Sequence, residues 1–401
     1  MMNRMKIVFA AIFLALGSWA ALAVAAPKMP SAVEPLYQQV ELLAEAITVI
    51  QAEYVEPVDP RKMIYGALKG LVESMDRHSQ FMDPQSFSEM QIETHGEFAG
   101  LGLEIALGKD GMLAVITPMD DSPAARAGIR PGDKIVKIDG ESTRGIALQE
   151  AVNQLRGRSG SKVLLTLFRD PENKAIDVTL IRSMIRIRSV RDAVPAPGIG
   201  YIRISEFQEN TEKDFEKALT GLENKIRLEG LILDLRNNPG GLLESAVGLA
   251  GFFLPEGKLV LSTKGRAPGQ TQQFFARRKD ARLTLPVVVL VNGGSASSAE
   301  ILAGALRDYQ RAVLLGMKTF GKGSVQTLIP LRDGSAIRLT TSLYYTPSGR
   351  MIHGKGIEPD VVVDQADAVS LEEESHGSGS AALAKDPVVL RAIDFLKAGK
   401  K

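Results

Sequence analysis

Apolar residues at helical spacing mark the first long segment. Val33, Leu36, Val40, Leu43, Ala44, Ile47 and Ile50 fall three and four apart, which predicts an amphipathic helix over 31–56. A second helix from Pro60 carries Met63, Ile64, Ala67, Leu68, Leu71 and Val72. Such faces need a partner, either the body of the protein or another subunit. From Gly96 the texture changes to a glycine-punctuated loop running into a strand. Strands are then predicted over 113–116, 134–138, 163–168 and 176–180, with a short helix over 123–127 and a longer one over 147–155. Gly128 closes the short helix and Asp139-Gly140 is a hairpin signal. These pieces make one small domain of mixed elements that ends near Ser183.

Beyond Ile199 strands and helices alternate. Strands over 201–204, 231–235, 287–291 and 312–315 are separated by helices from Thr211, over 242–253 and over 297–309. That order predicts an α/β domain with a largely parallel sheet. After Gly321 the pattern turns to a hairpin, 325–331 against 336–341 around Asp333-Gly334. The polar tail from Gln365 ends in a short helix near 387–398.

The first 26 residues add an address. Arg4 and Lys6 precede an uncharged apolar run over 7–24, and Val24-Ala25-Ala26 then Pro27 close it. This is the layout of a cleaved secretory signal peptide, with an uncleaved membrane anchor as the alternative. The chain has 401 residues, 45% hydrophobic, enough for two or three globular domains. Its 48 basic and 47 acidic residues leave a net charge of +1, which gives no reason to expect nucleic acid. The absence of cysteine excludes disulfides, thiolate metal sites and thiol nucleophiles, and in an exported chain points to a bacterial periplasm or cell envelope.

Candidate chemistry gathers at two places. Asn292-Gly293-Gly294-Ser295-Ala296-Ser297-Ser298-Ala299-Glu300 follows a buried strand and opens a helix. A serine there is exposed at the carboxyl end of the sheet, beside free helix N–H groups, although serines at such a point also serve simply as caps. Thr319-Phe320-Gly321-Lys322-Gly323-Ser324-Val325-Gln326 holds a lysine between glycines. Burial would make it the neutral base that a serine needs, and Gln326 falls on the same face of a strand. The four histidines, His78, His95, His353 and His376, have neither metal-ligand nor triad spacing, and there is no G-x-S-x-G elbow. A phosphate-loop reading of Gly316 to Lys322, with Asp234 as its acidic partner, fails because Gly323 replaces the magnesium-binding hydroxyl and a strand follows.

These segments together resemble the carboxyl-terminal processing peptidases. The resemblance implies an α/β fold, a ClpP/crotonase-like protease core with an inserted α+β PDZ domain and terminal helices. It makes Ser297 the nucleophile, Lys322 the base and Gln326 the orienting residue. Asp234-Leu235-Arg236-Asn237-Asn238-Pro239-Gly240-Gly241 matches a further family segment. It implies oxyanion N–H donors at Gly241 and Ser298, with Gly240 open as an alternative for the first. Pro239 departs from the glycine of many relatives. Phe98 to Gly102 matches the PDZ carboxylate-binding loop, and the resemblance runs from Gly96 to about Asp364. Phe98, Gly100, Leu101, Gly102, Leu103, Leu148 and Val152 are the expected peptide-binding residues. The implied domains are a signal peptide over 1–26, helices for assembly over 27–82, PDZ over 83–183, protease core over 184–364 and tail over 365–401. The expectation is an exported serine endopeptidase needing no metal or cofactor. It would act on proteins with free C-termini as a homo-oligomer, and an activating or adaptor protein is compatible with it. The rival is a catalytically silent PDZ adaptor of the same fold.

Overall fold

The computed structural model describes residues 34–364 except 109, 120, 173 and 283, and then 383 and 385–398. The proposed signal segment, His376 and most of the polar tail lie outside the described residues. Among those described, no helix is long and apolar enough to cross a membrane.

The chain divides at 71/72 into two compact units. The first holds α1 (Glu34–Glu53) and most of α2 (Pro60–Glu73). Several of its apolar side chains are exposed: Leu36, Tyr37, Val40 and Leu43 on α1, and Leu71 on α2.

The second unit opens with β1 (Gln80–Met82) and α3 (Pro84–His95). Asp83 caps α3 by accepting the Ser86 N–H, and Gly96 ends it at φ 72°, a conformation that glycine adopts without strain. A PDZ-like module follows. It comprises β2 (Glu97–Gly100), β3 (Leu103–Leu107), β4 (Leu113–Pro118), α4 (Pro123–Arg126), β5 (Lys134–Ile138), β6 (Glu141–Ser142), α5 (Leu148–Leu155), β7 (Lys162–Arg169), β8 (Lys174–Ile181) and β9 (Ser183–Arg186). Its antiparallel sheet runs β3-β4-β5-β7-β8, while β2 and β9 pair with each other where the chain enters and leaves. Leu101, Leu113, Ile135, Ala151 and Leu165 fill its own core. The sequence places the peptide-binding edge strand, into which the loop from Gly96 runs, at 101–105. The strand instead begins at Leu103, because Leu101 turns inward and is only 2% exposed.

The catalytic-sized body contains β10 (Val190–Ala196), β11 (Ile199–Ile204), α6 (Thr211–Lys225), β12 (Gly230–Asp234), α7 (Leu243–Ala250), β13 (Leu259–Gly265), β14 (Gln272–Phe275), β15 (Val287–Val291), α8 (Ser298–Asp308), β16 (Val313–Gly316), β17 (Ser324–Pro330), β18 (Ala336–Tyr345), β19 (Val361–Val362) and α9 (Pro387–Ala398). The main sheet runs β10-β11-β12-β15-β16-β19, parallel except for the β10–β11 pair. Every residue of β12 and β15 is buried, which is why these strands read as unbroken apolar runs. Helices α6, α7 and α8 cover one face, and α9 covers the other through Val388, Val389, Ala392, Ile393 and Leu396. A second, antiparallel sheet of β1, β18, β13 and β14, with β17 also on β18, carries the segment after Lys322. The periodicity missed β10, β13 and β14, whose mixed residues follow neither template.

Candidate active site

Strand β15 ends at Val291, and the chain turns through 292–296 before α8 begins. The sequence places two glycines in this turn, Gly293 and Gly294, which allow a sharp bend. The tight conformation falls on Ser297 itself, at φ 54° and ψ −118°. A non-glycine residue held there carries about 1–3 kcal/mol of strain and presents its side chain at the apex, as a nucleophile elbow does. Gly294 is required for closeness instead, since a Cβ would stand 2.7 Å from the Asn237 Oδ1. Neighbouring Ser295 is occupied structurally. Its hydroxyl donates to the Leu235 carbonyl at 2.7 Å and accepts the Asn292 N–H at 2.9 Å.

A second turn, 235–241 after β12, lies against the Ser297 apex. Asn237 and Asn292 exchange hydrogen bonds, N–H to Oδ1 at 2.9 Å and Nδ2 to Oδ1 at 2.9 Å. Ala296 donates to the Asn238 carbonyl at 2.9 Å. A Cβ on Gly240 would sit 2.6 Å from the Ser297 Cβ, and one on Gly241 2.1 Å from the Phe207 carbonyl oxygen, so both positions demand glycine. The Gly240 N–H is taken by Asn238 Oδ1 at 2.8 Å. The Gly240 carbonyl accepts from Phe207 at 2.8 Å and the Gly241 carbonyl from the Ser298 hydroxyl at 2.9 Å. Among the described residues, no acceptor takes the N–H of Gly241 or of Ser298.

Lys322 is held by backbone fit. A Cβ on Gly321 would meet the Gly356 nitrogen at 2.8 Å, and one on Gly323 the His353 nitrogen at 2.4 Å. Burial of the ammonium, then the nearby charge of Arg338, lowers the Lys322 pKa below its ordinary value. Next to it His78 and His353 meet edge to face with ring centroids 5.9 Å apart, and burial, then the Lys322 charge, lowers the His78 pKa. His95 is exposed, its Nδ1 2.6 Å from the Gln91 carbonyl.

Sequence reasoning quoted Glu300 without giving it a task, yet this carboxylate ties the two segments together. It is fully buried. One oxygen accepts the backbone N–H of Ser297 at 3.0 Å and of Lys322 at 2.8 Å. The other accepts the Thr319 hydroxyl at 2.5 Å and the Gly321 N–H at 2.8 Å. Burial raises the Glu300 pKa, against four hydrogen bonds that favour the charged form. The spacing of serine and glutamate across the helix start, S-x-x-E, is a capping-box signal that could have found it. The Tyr344 hydroxyl lies between the carbonyls of Ser297, at 3.0 Å, and Lys322, so its single proton serves one of them at a time.

Ser297, Ser298, Gly240, Gly241, Lys322 and Gln326 line one cleft of about 560 Å³. Gln326 does not make the expected bond to Lys322. Its Nε2 donates to the Ser324 hydroxyl at 2.9 Å and to Thr340 Oγ1 at 3.4 Å. The β17–β18 register shifts between Val325 and Gln326, and the pairing sets Gln326 opposite Thr340 on β18. No hydrogen bond joins the Ser297 hydroxyl to the Lys322 amine among the described residues.

A second, smaller cavity of about 180 Å³ lies in the PDZ-like module. Six of the seven expected residues line it: Phe98, Gly100, Leu101, Gly102, Leu103 and Val152. Leu148 lies outside the lining and is 37% exposed. Sequence reasoning missed Ile105, Leu155 and Arg156, the last with its guanidinium 5.3 Å from the centre of the Phe98 ring.

Residues 198–363 match the model of peptidase family S41, and 115–169 match a PDZ domain. A carboxy-terminal-processing protease of Bartonella bacilliformis is 43% identical over 82% of this chain and 76% of its own length. The carboxy-terminal processing protease CtpA of Bacillus subtilis is 37% identical over 82% of this chain and 70% of its own. A solved Bacteroides fragilis protein assigned to the S41 proteases superposes with a TM-score of 0.51 at 18% identity, covering 88% of this chain and 96% of that one, a likeness of fold alone.

Proposed function

The chain belongs to the carboxy-terminal processing proteases of peptidase family S41 and is a serine-type peptidase with a PDZ domain, and from that premise we propose that Ser297 and Lys322 form its catalytic dyad. The observation that carries this reading is the Glu300 carboxylate, which fixes the backbones of the strained Ser297 and the half-buried Lys322 at once. Neutral Lys322 removes the proton from Ser297 Oγ, which attacks the scissile carbonyl carbon. The tetrahedral oxyanion rests against the N–H groups of Gly241 and Ser298, both without a protein acceptor, at the N-terminus of α8. The C–N bond then breaks, the protonated lysine gives its proton to the leaving amine, and water hydrolyses the ester. Gly240 is excluded from the donor role because Asn238 already holds its N–H. Gln326 orients the lysine after turning away from Ser324 and Thr340.

The PDZ cavity captures the free C-terminus of a protein substrate. The loop carbonyls of Leu101 and Gly102 accept from Ala124 and Met119 at 3.1 and 2.9 Å, leaving N–H groups for a carboxylate. Residues 1–26 export the protein to the bacterial envelope, and the exposed apolar side chains of α1 support self-association. The test is digestion of casein and of an envelope extract. Ser297→Ala and Lys322→Ala should each lose at least about 10³-fold in kcat while staying folded. Residual activity in Ser297→Ala near that of the unaltered protein would sink the assignment, and an intact dyad without proteolysis would favour the silent adaptor.

A further inference from the structure

Arg236 is the largest fully buried side chain among the described residues. It stands at the root of the turn that carries Gly241, two residues after β12. Its backbone N–H and Nε both reach Asp234 Oδ1, at 2.9 and 3.0 Å, and Nη2 reaches Oδ2 at 2.6 Å. The Tyr201 hydroxyl donates to the same Oδ2 at 2.7 Å, and Arg203 lies 3.8 Å from it. These bonds curl the chain back over the strand end and leave Nη1 as the outer corner of the guanidinium. That corner lies 2.8 Å from Asp386 Oδ2, although no acceptor stands in line with its N–H, so charge holds the pair.

Asp386 has a second task. Its Oδ1 accepts the N–H groups of Val388 at 2.8 Å and Val389 at 3.2 Å, which starts α9. Through Val388, Val389, Ala392, Ile393 and Leu396 that helix closes the face of the main sheet opposite α8. One buried carboxylate therefore begins the C-terminal helix and balances the arginine under the oxyanion turn. The cluster holds two carboxylates, Asp234 and Asp386, against two guanidinium groups, Arg236 and Arg203. Removing the Asp386 charge leaves an excess positive charge where water cannot reach it.

Relief requires Arg236 to shift, and the turn must follow. The next links are short and all anchored: Asn238 Nδ2 donates to the Ile204 carbonyl at 2.8 Å, and its Oδ1 holds the Gly240 N–H at 2.8 Å. The geometry points to Asp386 and Arg236 as positioning residues, whose charge pair sets the Gly241 N–H that receives the oxyanion. The inference rests on the reading of Gly241 and Ser297 given above.

The experiment uses the full chain with one peptide substrate and a peptide aldehyde of the same sequence. The aldehyde forms a tetrahedral adduct with a serine and places an oxygen where the oxyanion would sit. Asp386→Asn keeps a good helix cap and removes only the charge. It should lower kcat by at least about 10-fold and weaken the aldehyde by the same factor, with KM unchanged, because small misplacement of catalytic groups costs rate rather than binding. Leu396→Ala loosens α9 without touching the ion pair. It should lower Tm at least as far yet leave aldehyde affinity within about twofold. Unchanged kcat and aldehyde affinity in folded Asp386→Asn, or an equal loss in Leu396→Ala, would overturn the proposal. If Asp386→Asn does not fold, Asp386→Ser replaces it. Failure of both while Leu396→Ala folds would assign the pair to stability alone, again overturning it. An unaltered protein that ignores the aldehyde would instead sink the reading of Ser297, which keeps the two failures apart.

Discussion

The proposed oxyanion turn at 235–241 and the PDZ loop at 98–102 are two glycine turns of similar electrostatic layout. In both, carbonyls are held by the protein, those of Gly240 and Gly241 in one and of Leu101 and Gly102 in the other, and among the described residues no acceptor takes the N–H of Gly241, Leu101 or Gly102. Their supports differ. The proposed oxyanion turn is anchored by polar side chains, the buried Arg236 and Asn238 and the Asn237–Asn292 pair. The PDZ loop hangs on an apolar anchor, Leu101, and on the Ser122 hydroxyl, which donates to the Gly102 carbonyl at 3.3 Å. Directional bonds fix position to a fraction of an ångström, which stabilising a transition state requires. An apolar anchor tolerates small shifts, which suits the proposed capture of differing C-termini.

The largest effect expected separates the two turns directly. Gly241→Ala drives a Cβ to 2.1 Å from the Phe207 carbonyl. It should cost about 10²–10³ in kcat, as loss of one oxyanion donor does, with the preference for a free C-terminus unchanged. A change in that preference would show that the turns are not independent.

Glu300→Gln comes next. The amide keeps the shape but turns one acceptor into a donor facing two N–H groups. A loss of about 10²-fold in kcat is expected, since a displacement near 1 Å costs that much. Full activity with a lowered Tm would reduce Glu300 to a structural role.

On the PDZ side, a peptide substrate with a free C-terminus should exceed its amidated form by roughly 5- to 150-fold in kcat/KM, or about 1–3 kcal/mol. Gly102→Ala, whose Cβ would stand 2.3 Å from the Ser122 Cβ, should raise KM for the free form and remove the difference. Equal rates for both peptides with the unaltered protein would mean that this loop does not read the carboxylate.

The smallest effect concerns pH. With Lys322 as the proposed neutral base, the rate should fall as pH drops through its lowered pKa. Arg338→Gln removes a like charge and lets that pKa rise, so the acid limb should move to higher pH with the alkaline rate kept. A limb that stays in place would leave burial as the sole cause of the shift.

Much of this was legible in the residues. The apolar runs of β12 and β15 gave the parallel sheet, because a strand buried on both faces has no polar side to show. The glycine-flanked lysine and the serine turn gave the candidate site, because backbones that approach closely leave no room for a Cβ. Tertiary structure alone decided the rest. That Gln326 bonds Ser324 and Thr340 goes with its pairing opposite Thr340 on β18, which no local pattern contains. That the strain falls on Ser297 and not on Gly293 or Gly294 follows from Glu300, Asn238 and Gly240 closing around it. That Arg236 meets Asp386 across 150 positions is set by the docking of α9 on the sheet. Sequence determines what a segment can be when the cause is local geometry or burial. Which partners a polar side chain finds depends on segments distant in the chain, and only the packed structure brings them within reach.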